Sequence, residues 1–162
     1  MITLRPVACA ALAVLALPGL AACAPEAEAP AAETAAAASG LSVSNARLVL
    51  PPVAGNPAAV YFDLSYTGVA GITLEKVTVE GAGMTMIHDY AETAGKMEMT
   101  MAEPITLAEG TPVSFAPGGL HVMAMEPSDT LRAGGTAKVT LTLSDGSTTT
   151  VDAPVRAAGD ER

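Results

Sequence analysis

Cysteine is close to absent from this chain, and neither of its two copies is free to build a site. Cys9 lies inside an apolar N-terminal run and Cys23 directly ends it, which leaves the folded part without a thiol or a disulfide. A type-1 blue-copper centre needs a thiolate, so electron transfer of that kind is excluded. In an oxidising compartment the same absence removes a liability, since a metal site built from Cys risks oxidation. Histidine is equally scarce, with His88 and His121 alone. Two histidines are too few for a copper–zinc superoxide dismutase site, and no Ser/His/Asp or paired-carboxylate arrangement has support, so the chain reads as a non-enzyme. Basic residues are also few. Without Arg5 of the leader, 7 of the 8 Lys and Arg remain against 17 acidic residues, a net charge of −10. No basic patch exists to neutralise phosphates, which argues against nucleic acid as a partner.

What stands at the N-terminus is a processing signal. Arg5 supplies the positive charge, "VACAALAVLALPGLAA" the apolar run, and "LAAC" (20–23) the pattern of small residues before a lipid-accepting Cys. Pro18 and the processing site argue against a transmembrane helix. Residues 1–22 are therefore expected to be a lipoprotein signal peptide and Cys23 the lipidated residue, anchoring the chain to a membrane from the periplasmic side. Ala24 is not the Asp that marks inner-membrane retention in enteric bacteria, which favours the outer membrane. Residues 24–40, "APEAEAPAAETAAAASG", have little to bury and read as a tether. Residues 157–162 form a short polar tail.

Between them, 41–156 offer roughly 115 residues, enough for one core. The segments are short and bounded by turn chemistry: "NARLVL", "AAVYFDLSY", "ITLEKVTVE", "MTMIHDY", "KMEMTM", "TPVSF", "LHVMAM", "AKVTLTLS" and "STTTVDAPV". Asp145-Gly146 is a two-residue hairpin signal. In "AKVTLTL", Val139, Leu141 and Leu143 alternate with Thr140 and Thr142, as in a half-buried strand. Many short antiparallel strands in a domain of this size predict an all-β sandwich or Greek-key barrel.

Every methionine after the initiator (Met84, Met86, Met97, Met99, Met101, Met123 and Met125) falls between residues 84 and 125, together with both histidines. Residues two apart in a strand share a face. Met97, Met99 and Met101 thus share one face, and His121, Met123 and Met125 another, opposite Leu120, Val122 and Ala124. Methionine can serve as flexible core filler. In "LHVMAM", however, the Leu/Val/Ala face already serves a core. Neutral, polarisable thioether combined with imidazole selects Cu(I), binds hard Mg²⁺ or Ca²⁺ poorly, and is not the usual donor set for zinc.

The spacing His88-x10-Met99-x21-His121-x-Met123 resembles the H-x10-M-x21-H-x-M motif of the PCuAC family of periplasmic copper chaperones. "NPAAVYFDLSYTG" and "FAPGGLHVMAM" resemble its flanking segments, so the likeness spans about residues 45–155. It implies a cupredoxin-like β-barrel, a Cu(I) site made by His88, Met99, His121 and Met123, and delivery to the copper centres of cytochrome c oxidase through copper-accepting assembly proteins. Met86, Met101 and Met125 are auxiliary or outer candidates. Some members carry a Met two residues after the first His; here Tyr90 stands there, and Met86 shares the face of His88. Some also carry a His/Met-rich C-terminal tail, but "RAAGDER" has neither, which argues against a second copper site in the tail. Asp89 is expected in solvent or behind a ligand. The rival reading is a structural or adhesive β-sandwich lipoprotein with no metal.

Overall fold

The computed structural model describes residues 40–160, and every regular element among them is a strand. The ten strands are β1 (Leu41–Val49), β2 (Ala58–Tyr66), β3 (Thr73–Val79), β4 (Met84–Thr93), β5 (Lys96–Met101), β6 (Ile105–Thr106), β7 (Val113–Phe115), β8 (His121–Met125), β9 (Thr136–Leu143) and β10 (Thr148–Arg156). They form one sheet in the order β5-β4-β8-β2-β1-β10-β9-β3-β6, with β7 alongside β2. The non-consecutive neighbours β4–β8, β8–β2, β1–β10, β9–β3 and β3–β6, with β7 beside β2, are the crossovers of a Greek-key arrangement. This is the all-β, cupredoxin-like architecture expected from the sequence, built as one open sheet that wraps round its core.

Alternation explains which side faces inward. On β2, Ala58, Val60, Phe62, Leu64 and Tyr66 are buried while the residues between them are not; β9 and β10 repeat the pattern. Phe62 and Phe115, paired across β2 and β7, stack with centroids 4.2 Å apart at the centre of this core. The two halves of the sheet join at a short parallel contact, Leu48↔Val155 and Val49↔Arg156. On the far side β3 and β4 approach without a ladder, linked by the Thr85 hydroxyl, which donates to the Val77 carbonyl.

Five details differ from the sequence reading. β1 begins at Leu41 rather than Asn45, because Leu41 and Val43 are buried. A bulge between Ser44 and Arg47 interrupts its alternation, with Asn45 at φ 53°. β6 and the parallel β1–β10 contact were not foreseen, since neither carries a local turn signal. The turn at Asp145-Gly146 has three residues: the Gly146 N–H donates to the Leu143 carbonyl, Gly146 takes φ 81°, and the Leu143 N–H then bonds the Ser147 carbonyl.

Candidate metal centre

A two-residue hairpin turn joins β4 to β5 at Ala94-Gly95. Both residues have positive φ (52° and 77°), the type I′ geometry whose twist suits an antiparallel pair. That turn pairs Thr93 with Lys96 and so fixes the register: Tyr90 lies opposite Met99, and His88 opposite Met101. Met99 is therefore diagonal to His88, within reach of a long side chain on a twisted pair. The Met99 Sδ lies 3.0 Å from the His88 Nδ1. A thioether is only a weak acceptor. Imidazole nitrogen and thioether sulfur, two donor types that suit Cu(I), thus lie side by side.

The second histidine is set by a different turn. β7 and β8 both run antiparallel to β2 along the same edge, so the segment between them is an excursion from the sheet. The Gly119 N–H closes on the Ala116 carbonyl at 3.1 Å, with Pro117 and Gly118 at the turn's centre and Gly118 at φ 84°. This is type II geometry, which wants Pro first and Gly second. The turn aims the Gly119 carbonyl at His121, whose Nδ1 lies 2.8 Å away. An Nδ1–H donating to that oxygen fixes the tautomer and leaves Nε2 as the free donor atom.

β8 inserts between β4 and β2, and its pairing with β4 assembles the rest. His88 lies opposite His121, Met86 opposite Met123 and Met84 opposite Met125, all on the outer face of the sheet. The two imidazoles stand edge to face with centroids 5.9 Å apart. Tyr90 stacks on His121 at 5.6 Å, and His121 is only 6% exposed although it points outward. Burial, and then the neighbouring His121, hold the His88 pKa below the ordinary 6.5. Both effects favour the neutral imidazole, the state that can ligate.

The four residues of the motif all lie on this face. His88 touches Met99 and faces His121, and Met123 sits one pair along the strand beside Met86. Core filling does not account for the methionines of β5: Met97, Met99 and Met101 are 62%, 46% and 61% exposed. The core beneath is made by Val122 and Ala124, both fully buried, with Ile87 packed against it. Among the described residues no three His, Cys, Asp or Glu side chains are grouped to hold a metal ion, so a centre here has to use thioether. Asp89 does not back either imidazole; its carboxylate accepts from the Tyr90 N–H on its own strand. Sequence reading missed the stacking role of Tyr90 and the Gly119 carbonyl. Alternation in "MTMIHDY" already put Tyr90 on the face of His88, and Pro-Gly-Gly already marked the turn. Cys23 lies outside the described residues.

Comparison with known proteins places these features in context. The family model described as "Putative lipoprotein LpqE-like" matches residues 41–155. Putative lipoprotein Lxx21020 of Leifsonia xyli subsp. xyli is 30% identical over 141 residues, covering 86% of this chain and 84% of that protein. Among solved structures, the copper-bound PCuAC domain from PmoF2 superposes with a TM-score of 0.60 at 24% identity, over 75% of this chain and 96% of that domain. The Cu(I) form of DR1885 from Deinococcus radiodurans gives 0.59 at 23% identity, over 80% and 85% of the two chains. At these identities the likeness establishes a shared fold, that of the PCuAC domain.

Proposed function

The chain belongs to the LpqE-like family, and from that premise we propose that it is a copper carrier holding Cu(I) between His88, Met99, His121 and Met123. One observation carries the reading: the Met99 sulfur is gathered against His88, opposite His121, on the solvent side of a sheet whose core lies on the other face. Neutral imidazole and thioether suit a soft monovalent ion, and they suit Zn²⁺ poorly. Two structures of the same fold hold copper, which supports the same cargo here.

The geometry suits a carrier better than a catalyst. Met99 sits on the edge strand β5 and stays half-exposed, so a recipient can approach and replace it first. His121 is fixed by Gly119 and covered by Tyr90, so it holds the ion longest. In this reading Cys23 carries the lipid, residues 24–40 give the domain reach, and the recipients are the copper-accepting proteins of cytochrome c oxidase assembly. The family's lipoprotein description supports the anchor.

The test is Cu(I) affinity by chelator competition. Met99→Leu and Met123→Leu keep volume and should change apo stability by less than about 1.5 kcal/mol. Each should weaken Cu(I) binding by roughly 100-fold, at or beyond the upper end of what supporting residues around a metal usually cost. Wild-type affinity in both variants, or tighter binding of Zn²⁺ than of Cu(I), would sink the assignment.

A further inference from the structure

The outer face of β4 and β8 carries more soft donors than one centre uses. From the His88↔His121 pair the ladder continues to Met86↔Met123 and then to Met84↔Met125. These outer methionines are not core residues. Met84 is 56% exposed and Met86, Met123 and Met125 are partly exposed, while their inward neighbours Val122 and Ala124 are fully buried. Met does not occur on the inward face of either strand, and no Leu, Ile or Val occurs among the six outward positions of this ladder. A surface chosen only for hydrophobicity would not segregate by donor atom in this way.

Directly opposed residues on an antiparallel pair have Cβ atoms about 4.5–5.5 Å apart. Methionine's flexible, unbranched chain lets both sulfurs of such a pair turn onto one ion. Successive pairs on one face are two residues apart, about 7 Å at a strand rise near 3.4 Å per residue. Met86 and Met123 can therefore serve the row on either side. Beyond the last pair, Glu126 takes φ 51° and lays its carboxylate over Gly83, so a negative charge borders the outermost methionines.

We propose that Met84, Met86 and Met125, sharing Met123 with the centre described above, form a second and weaker all-thioether site for a soft monovalent cation, Cu(I) or Ag(I). The ion moves between the two while Met123 stays bound, His88, His121 and Met99 being released as Met86, Met84 and Met125 take their places, with no change of oxidation state. The site itself rests on the ladder, and its role as an entry or exit step rests on the carrier reading.

Ag(I), which does not undergo redox chemistry here, is the probe. The purified protein, labelled with ¹³C at the methionine methyls, is titrated from zero to two equivalents. The first equivalent should shift the Met99 and Met123 methyls. The second should shift Met84, Met86 and Met125 and leave Met97 unmoved. In the double variant Met84→Leu/Met125→Leu the second step should weaken at least tenfold while the first is kept. The proposal is overturned if no second equivalent binds, if it lands on Met97 and Met101 instead, or if it survives the double variant unchanged. If Met99 stays unmoved at the first equivalent while the second pattern and its loss in the double variant persist, the carrier centre fails and the thioether site stands.

Discussion

The outer surfaces of the two halves of this sheet are built on one rule and carry different chemistry. On β9 and β10 the outward residues are those of an ordinary half-buried sheet: Thr140 and Thr150 share a hydrogen bond across the strands at 2.9 Å, and Lys138 pairs with Asp152 at 2.9 Å. On β4, β5 and β8 the same alternation brings out thioether and imidazole. Beneath both, the inward residues are comparable aliphatics, Val139 and Leu141 in one half and Val122 and Ala124 in the other. Packing can thus be held constant between the halves while donor chemistry varies. A site laid over a finished core can lose its donors without losing the fold.

The strongest way to break that separation is to damage the shared core. Phe62 is fully buried against Phe115, so Phe62→Ala should cost about 3–5 kcal/mol and appear as a large drop in the denaturation midpoint. Copper binding should fail along with folding in this variant. Loss of copper with an unchanged midpoint would contradict the layered picture.

A smaller and more selective effect is expected at the turn beside His121. Gly118 holds φ 84°, which an L side chain rarely adopts, and Gly118→Ala should cost about 1 kcal/mol or somewhat more. Because the turn aims the Gly119 carbonyl at Nδ1, Cu(I) affinity should fall by roughly tenfold, the scale of losing a group that orients a ligand. Gly55→Ala makes the control, since Gly55 has φ 87° with nothing near it; it should strain the backbone and leave copper alone.

The smallest effect is on pH dependence of the apo protein. With its pKa held below 6.5 by burial and by His121, His88 binds fewer protons folded than unfolded. Its contribution is therefore present above about pH 6.5 and is lost as pH falls through the lower folded pKa. Chemical denaturation at pH 7.5 and at pH 5.5 should show wild type losing more stability than His88→Gln. An equal loss in the two proteins would mean that the pair is not coupled to folding.

How far the sequence could lead depended on distance along the chain. Strands bounded by their own turn residues were legible: β2 and β5 run over 58–66 and 96–101, as the alternation and the flanking glycines suggested. Pairings between distant segments were not. No local signal puts β8 between β4 and β2, or β1 beside β10, because those contacts are settled by burial of whole faces. The candidate centre divides the same way. That His121 shares a face with Met123, and Met97 with Met99, follows from period two. That Met99 rather than the directly opposite Met101 brings its sulfur to 3.0 Å from His88 follows from register and twist, which the Ala94-Gly95 turn sets. The stacking of Tyr90 on His121 joins two strands and could be seen only once they were paired.

The central claim is that the outer face of β4, β5 and β8 binds copper through thioether as well as imidazole. X-ray absorption at the copper edge, on protein loaded with one equivalent of Cu(I) under reducing conditions, tests it most directly. The account predicts a low-coordinate Cu(I) spectrum with both nitrogen and sulfur in the nearest shell, the sulfur falling in Met99→Leu and in Met123→Leu. A shell of nitrogen and oxygen alone, or a protein that retains no copper, would contradict it.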